Sequence, residues 1–469
     1  MRKNLLFIFM DQWNKECTGF GAHHIMTPNI DQLKKDGTNL TNCVSNYPLC
    51  SPARASLLTG KHAYGCGFYT NCKPGLDEVV MLKPQEVTIA KVLKKQGYQT
   101  GYIGKWHLDA SEMNFYSEPK SGARKWDAYT PSGERRQGFD YWYSYGAMDE
   151  HLHPHYWMND EHMILHNEWS PSVETRKAIE FLETINKEAP FCLYLSYNPP
   201  HPPYDQVPEK YRRIYQDCDV LAKCMPNVPD EFKTQDYVDK VKDYYAAVTG
   251  VDDHIGMLMS YLKEHNLYDN TTIVVTSDHG DLLGSHGGFG KGNWYEESIG
   301  VPCIIKDREI TSKEYPYVFS TIDFVPTLLD LLDIEIPDTV QGKSHGRLTY
   351  DNGMKDNNAI ILTIGGMPDV VNEFRKYGLN HKSFGYRGVR TQEELYVINN
   401  FNVPFAAQKR LLYHLKQDPY EMNPEELNPD DSRCEKYDEM IKAYCTLCND
   451  PFLFQLNQFH YEESFCEKN

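Results

Sequence analysis

Leu5 to Met10 is an unbroken apolar run that stops at Asp11, and the same arrangement recurs down the chain. Gln99 to Ile103, Phe191 to Tyr197, Thr272 to Thr276 and Val301 to Lys306 are each short and β-rich. Strands buried on both faces have this pattern, because neither face alternates with solvent. Between them lie amphipathic segments at Thr88 to Gln96 (closed by Gly97), Ser172 to Asn186 and Tyr237 to Glu264, which predict helices. The alternation predicts an α/β fold, a large and mostly parallel sheet flanked by helices.

The pattern lasts until a final helical segment, Asp323 to Leu332, after which Pro337, Gly342 and Gly346 break it. With 469 residues the chain exceeds the roughly 250–300 that one core sustains, so two domains are expected. A boundary near residue 345 gives a large domain over 1–345 and a smaller α+β one over 346–469. In the latter, the runs Ala359 to Ile364, Tyr386 to Arg390 and Leu395 to Asn399 and the polar helix Tyr437 to Cys448 point to a small antiparallel sheet with one helix.

No run approaches the roughly 18 apolar residues that span a bilayer. Arg2-Lys3 before the first apolar run does not make a leader, since the run is short and no small-residue cleavage site follows. Thirteen cysteines, an odd number scattered without a leader, predict free thiols in a reducing compartment, hence a cytoplasmic protein. A net charge of −18 argues against nucleic acid or an anionic membrane as partner. An anionic ligand would have to be held by cations gathered in one pocket.

Ligands of open parallel sheets sit beyond the carboxyl ends of the strands. Asp11 follows the first predicted strand, Lys105 and His107 the second, His201 the third, and Asp278 and His279 the fourth, so these groups converge on one rim. Asp11-Gln12 and Asp278-His279 offer two carboxylates, an amide carbonyl and an imidazole, a donor set for a hard cation. The plainer reading of an aspartate after a strand is a turn or helix cap. Cys50 lies in Pro48-Leu49-Cys50-Ser51-Pro52-Ala53-Arg54, where Ser51 suits a helix cap and Pro52 its first turn. That setting puts the thiol beside helix amides and Arg54, an electropositive spot that binds anions or activates a nucleophile. Taken alone, a cysteine is more often an inert buried residue.

The run from Cys50 to Gly60 resembles the signature of the formylglycine-dependent (type I) sulfatases, Cys-x-Pro-x-Arg with a Leu-Thr-Gly ending. The resemblance implies an alkaline-phosphatase-like fold and a sulfuric ester hydrolase. It further implies that Cys50 is oxidised by a formylglycine-generating, sulfatase-maturing enzyme to formylglycine, whose hydrated aldehyde supplies the nucleophilic oxygen and a metal ligand, with Arg54 holding its anionic form. Gly104-Lys105-Trp106-His107 is similar to the family's Gly-Lys-Trp-His segment, which implies that Lys105 clamps sulfate and His107 acts on the diol. By the same resemblance His201 faces the leaving-group oxygen, Asp278 and His279 form the second metal segment, and Lys291 is the second sulfate-binding lysine. Asp418-Pro419-Tyr420-Glu421 fits the closing pattern. Many relatives carry Asp-Asp where this chain has Asp11-Gln12, and Asp-Asn where it has Asp278-His279. Calcium is the expected ion, with magnesium or manganese as alternatives.

Three weaker signals stand outside this set. The aromatic and histidine-rich stretches Phe139 to Tyr145 and His151 to Trp157 are read as packing and surface loop, against a sugar pocket or second metal. Cys445-x-x-Cys448 lacks a second pair and is read as structural. Arg387 and Arg390 are candidates for a substrate contact by family resemblance. The competing functions are a phosphonate monoester or phosphodiester hydrolase, against which Lys105 and His107 argue, and a non-catalytic binder of sulfated glycans. The expected substrate is a sulfated small molecule or glycan, a carbohydrate sulfate being favoured because the long 110–190 insertion could build a sugar-sized rim.

Overall fold

The computed structural model describes residues 2–349, 354–364, 368–376, 378–400, 409–453 and 456; the last part of the predicted C-terminal unit, 457–469, lies outside the described residues. Its main sheet has eight strands: β1 Asn4–Met10, β2 Thr38–Leu40, β3 Gln99–Lys105, β4 Tyr141–Tyr145, β5 Phe191–Tyr197, β6 Thr271–Ser277, β7 Ile304–Lys306 and β8 Glu314–Tyr315. They lie in the order β8-β2-β7-β6-β1-β5-β3-β4. Five consecutive strands, from β6 to the edge strand β4 in that order, run parallel. This is an α/β fold with a large, mostly parallel sheet.

β1 shows why the strands are continuously apolar. Leu5, Phe7 and Phe9 point into one hydrophobic core and Leu6, Ile8 and Met10 into another, so each face of the sheet is sealed. One core holds Leu57 and Leu58 of helix α1 (Cys50–Thr59). The other holds Val173 and Phe181 of α2 (Ser170–Thr184) and Val241 and Ile255 of α3 (Gln235–Glu264). Phe324 and Leu328 of α4 (Phe324–Leu331) complete the first.

Two expectations need correction here. The run Val301 to Lys306 pairs only from Ile304 and is antiparallel to β6. The link between them contains no helix longer than Glu296–Ile299, so it lacks the crossover that a parallel return ordinarily uses. Within the aromatic stretch read as packing and loop, Tyr141–Tyr145 is the edge strand β4, parallel to β3; aromatic side chains favour strands as β-branched ones do.

A second sheet carries β9 Ala359–Thr363, β10 Gly385–Arg390, β11 Glu394–Asn400, β12 Lys409–His414 and β13 Glu425–Leu427, all antiparallel. Leu362, Val389 and Tyr396 join helix α5 (Ser432–Cys448) and the first core of the large sheet, while Tyr386, Leu395 and Tyr413 pack on Trp294 and Ile299. The small sheet is thus fused to the large one along the segment 294–299. Among the described residues no disulfide forms, and no helix is long and apolar enough to cross a membrane.

Candidate active site

Parallel strands deliver their carboxyl ends to one edge. β1 leads into Asp11 and Gln12, β3 ends on Lys105 just before His107, β5 leads through Asn198 to His201, and β6 leads into Asp278 and His279. Gln12 and His107 adopt left-handed backbone with φ 67° and 50°, a conformation uncommon in non-glycine residues and concentrated where a site over-determines the chain. Gly104, at φ 96°, lets β3 approach so closely that a Cβ there would lie 2.0 Å from the Ser196 carbonyl oxygen.

Helix α1 starts at Cys50 itself, with Leu49 in the capping position and no side-chain cap. Ser51 does not cap it: its Oγ accepts from Cys72 N at 3.1 Å while its own N donates to Asn71 Oδ1 at 2.9 Å, so the hydroxyl holds the neighbouring loop. The amides of the first helical turn lie beside the thiol all the same.

Around Cys50 Sγ stand Lys291 Nζ at 3.2 Å, His279 Nε2 at 3.4 Å and Asp11 Oδ1 at 3.7 Å. Lys105 Nζ sits 2.8 Å from Asp11 Oδ2 and 3.1 Å from Asn198 Oδ1. Gln12 Oε1 accepts from Lys291 Nζ at 2.6 Å while its Nε2 donates to Asp281 Oδ2 at 2.5 Å, which aims the amide carbonyl into the site. Arg54 donates to Asp278 Oδ2 at 3.0 Å, Asp11 Oδ2 at 2.9 Å, the Lys105 carbonyl and Ser196 Oγ. Its hydrogen bonds therefore fix the two carboxylates rather than Cys50. His107 Nε2 lies 3.2 Å from the Cys72 carbonyl and Nδ1 has no partner. His201 Nδ1 lies 3.2 Å from Asp149 Oδ1.

The electrostatics follow from burial set against charge. Burial and Asp11 push the Cys50 thiol up, yet Lys291, Lys105 and His279 outweigh them and hold it well below the usual thiol range. Burial likewise opposes ionisation of Asp11, but Lys105, Lys291, His201 and Arg54 keep it a carboxylate. Burial and the repulsion of Asp11 raise Asp278. Burial lowers His107. For His201, burial and the two lysines disfavour the proton, while Asp11 and Asp149 more than restore it, so the ring is raised.

One ligand atom each from Asp11, Cys50, Asp278 and His279 lies within 4.8 Å of the others, all four residues buried. With the Gln12 carbonyl this is an oxygen-rich donor set with one imidazole, which fits a hard divalent cation. A cavity of about 370 Å³ opens over it, lined by Cys50, Lys105, His107, Trp126, Asp149 and Lys291 among others. A larger hollow of about 580 Å³ lies at the opposite edge, beside Asn4 and Phe191 where the strands begin. It gathers no such convergent set, so size does not identify the site.

The structure brings together all ten expected residues, Asp11, Gln12, Cys50, Arg54, Lys105, His107, His201, Asp278, His279 and Lys291, in this one place. It adds Asn71, Asn198, Trp126 and Asp149. Asn198 lies at a strand end, where the rim rule could have found it; Trp126 and Asp149 lie in the irregular insertion, which has no periodicity to read. Arg387 and Arg390, expected at the substrate, do not line the cavity over Cys50. Arg387 is buried in a bidentate pair with Asp450, Nε to Oδ2 at 2.7 Å and Nη2 to Oδ1 at 2.9 Å, and Arg390 pairs with Glu296 at 2.5 Å. The two guanidiniums neutralise carboxylates, that of buried Asp450 and that of part-buried Glu296. His155 is buried against Asp127 at 2.6 Å and His151 Nε2 lies 2.7 Å from the His201 carbonyl. Cys445 and Cys448 lie on α5 and pack into the core.

The family pattern "Sulfatase" matches residues 3–334, and "N-sulphoglucosamine sulphohydrolase, C-terminal" matches 284–442. The chain is 31% identical over 435 residues to the ulvan-active sulfatase of Formosa agariphila, covering 90% of this chain and 76% of that one. It is also 31% identical over 451 residues to the endo-4-O-sulfatase of Bacteroides thetaiotaomicron, covering 90% and 87%. The crystal structure of a Bacteroides fragilis protein assigned as the sulfatase yidJ superimposes with a TM-score of 0.85 at 35% identity, covering 97% of this chain and 98% of that one. Strand order, the strand-end constellation and these likenesses agree: the chain belongs to the sulfatase family, has its alkaline-phosphatase-like fold, and is a hydrolase of sulfate esters.

Proposed function

We propose that this sulfatase acts on a carbohydrate sulfate, with Cys50 oxidised to formylglycine and a divalent cation, calcium before magnesium or manganese, held by Asp11, Gln12, Asp278 and His279. Cys50 Sγ then stands for the oxygen of the modified residue, which supplies an oxygen nucleophile and joins the metal ligands. The cation supplies charge neutralisation for the sulfate oxygens. Everything else is done by the chain's own groups.

Lys105 and Lys291 flank the reacting position and bind the remaining sulfate oxygens, whose charge an acidic protein could not otherwise attract. His201, kept protonated by Asp149 and Asp11, donates to the departing alcohol oxygen. His107, held neutral by burial with Nδ1 unpartnered, takes a proton from the second oxygen of the modified residue so that sulfate can leave. Arg54 keeps both metal-binding carboxylates in place.

The observation that carries the sugar is Trp126. It is 41% exposed on the cavity rim, its ring centroid 6.1 Å from that of His107 and 5.9 Å from Lys73 Nζ. An exposed indole beside the reacting group offers a face on which the apolar side of a sugar ring can stack. Relatives named as acting on ulvan and as an N-acetylglucosamine-6-O-sulfatase support the same class.

The test is turnover of a panel of sulfated mono- and oligosaccharides beside an aryl sulfate and an aryl phosphonate monoester. We expect the highest kcat/KM on a sulfated sugar; preference for the phosphonate, or no sugar turnover, would overturn the reading. Mass spectrometry of the Cys50 peptide after co-expression with a maturing enzyme should show the aldehyde, whereas a pure thiol would make the chain a binder of sulfated glycans.

A further inference from the structure

Where the small sheet meets the large domain, a second group of metal-ligating side chains closes on itself. His286 comes from the turn Ser285–Gly287, Glu297 from the helix Glu296–Ile299, and Glu421 from the link between β12 and β13. One ligand atom from each lies within 4.8 Å of the others. His286 Nε2 is 3.6 Å from Glu297 Oε2, close to the roughly 3.4 Å that separates two ligands bound at about 2.1 Å to a tetrahedral cation.

The carboxylates are the telling part. Glu297 is 7% and Glu421 2% exposed, yet Glu421 Oε1 has no hydrogen-bond partner and Glu297 Oε2 has only His286 Nε2 at 3.6 Å. Their other oxygens are held in place: Asn227 Nδ2 donates to Glu297 Oε1 at 2.7 Å, and Glu296 N donates to Glu421 Oε2 at 2.7 Å. The nearby cations Lys15 and Arg390 are paired with Glu296. Two buried carboxylate oxygens with no donor within hydrogen-bonding distance are costly, and a cation between them removes the cost.

We propose that His286, Glu297 and Glu421 bind a divalent cation smaller than calcium, Zn2+ or Mn2+, at a site separate from the active-site metal. One imidazole with two carboxylates suits these ions, whereas calcium takes oxygen cages of six or more ligands. Asn227 Nδ2 lies 3.0 Å from His286 Nε2 and 2.7 Å from Glu297 Oε1, so the amide holds the imidazole and one carboxylate side by side. The ligands at 286 and 297 bracket Lys291, so the ion pins both ends of the loop that carries a sulfate-binding lysine, and Glu421 ties that loop to the small sheet.

The competing account is that His286 pairs with an ionised Glu297 while Glu421 keeps its proton, and metal counting separates the two. The full chain, stripped by chelator, reloaded in Ca2+-saturated buffer and dialysed against Zn2+ or Mn2+, is assayed by elemental mass spectrometry. Wild type should take up one equivalent more than His286→Ala or Glu421→Gln, and its Tm should rise with the ion by several degrees that neither variant shows. Uptake at the active site is common to all three and cancels in the difference. Co2+ should give a visible ligand-field band in wild type. No uptake above Ca2+ by wild type, or equal uptake by wild type and His286→Ala, would overturn the proposal. The wild-type count and the cobalt band need no variant to fold.

Discussion

Trp126→Ala isolates the sugar platform from the chemistry. A tryptophan presents about 150–250 Å² in all, and with 41% of Trp126 exposed roughly 60–100 Å² remains for a sugar face to cover. At about 25 cal/mol per Å² that area contributes roughly 1.5–2.5 kcal/mol, or about a 10- to 70-fold loss of kcat/KM when it is removed. Stacking on a ring remote from the sulfur serves ground state and transition state alike, so the loss should fall on KM with kcat nearly unchanged. Trp126→Phe should keep most of the activity. Inhibition by inorganic sulfate is the internal control: Lys105 and Lys291 are intact, so the inhibition constant should not move. A Trp126→Ala enzyme within twofold of wild type on every sulfated sugar it turns over would refute the platform, as would weakening of sulfate inhibition by the same factor.

Burial pushes the Glu174 carboxyl up to about 8, with the Tyr156 hydroxyl and Arg54 opposing. Its Oε1 accepts from Tyr156 at 3.0 Å and Oε2 has no partner. The folded state therefore keeps a proton that the unfolded chain loses near 4.5, so this group's contribution is complete below that value and is lost as pH rises through 8. The amount is on the order of 5 kcal/mol at most, and Glu174→Gln should flatten the decline in denaturation midpoint between pH 5 and 8; an unchanged decline would contradict the assignment. Arg387→Ala should cost about 3–5 kcal/mol by stranding Asp450, yet leave kcat/KM of the folded fraction unchanged, since Arg387 does not line the active-site cavity. In Asp149→Asn, loss of the carboxylate 3.2 Å from His201 should move the alkaline limb of the kcat/KM profile to lower pH. Asp149 is half exposed and screened, so the shift should stay under about one pH unit.

The site was legible from sequence because it obeys a geometric rule. Parallel strands must end on the same edge, so Asp11, Lys105, His201 and Asp278, each closing or following an apolar run, had to meet. Cys50 and Arg54 came from the signature run and Lys291 from family resemblance; periodicity offered none of the three. Trp126 and Asp149 were out of reach because they sit in loops of the insertion, where position depends on packing and not on a repeat. The edge strand Tyr141–Tyr145 was hidden by its lack of aliphatic residues, although its aromatics carried the signal. Arg387, Arg390 and Ser51 were misread for one reason: a charged or hydroxyl side chain near a site suggests a ligand or a cap, and only the fold shows that a buried carboxylate or a neighbouring loop claims it first.

The burial of Cys50, 2% exposed among Lys291, His279 and Asp11, imposes a timetable on the cell. Once the sheet has closed, no second enzyme can bring its own active site around that thiol. Any rewriting of the side chain belongs to the interval before that closure, which cannot come until Asp278 and Lys291 have been synthesised. At translation rates of about 5–20 residues per second that interval lasts at least roughly ten to fifty seconds. Slower ribosomes should yield a larger modified fraction, and faster early folding a smaller one.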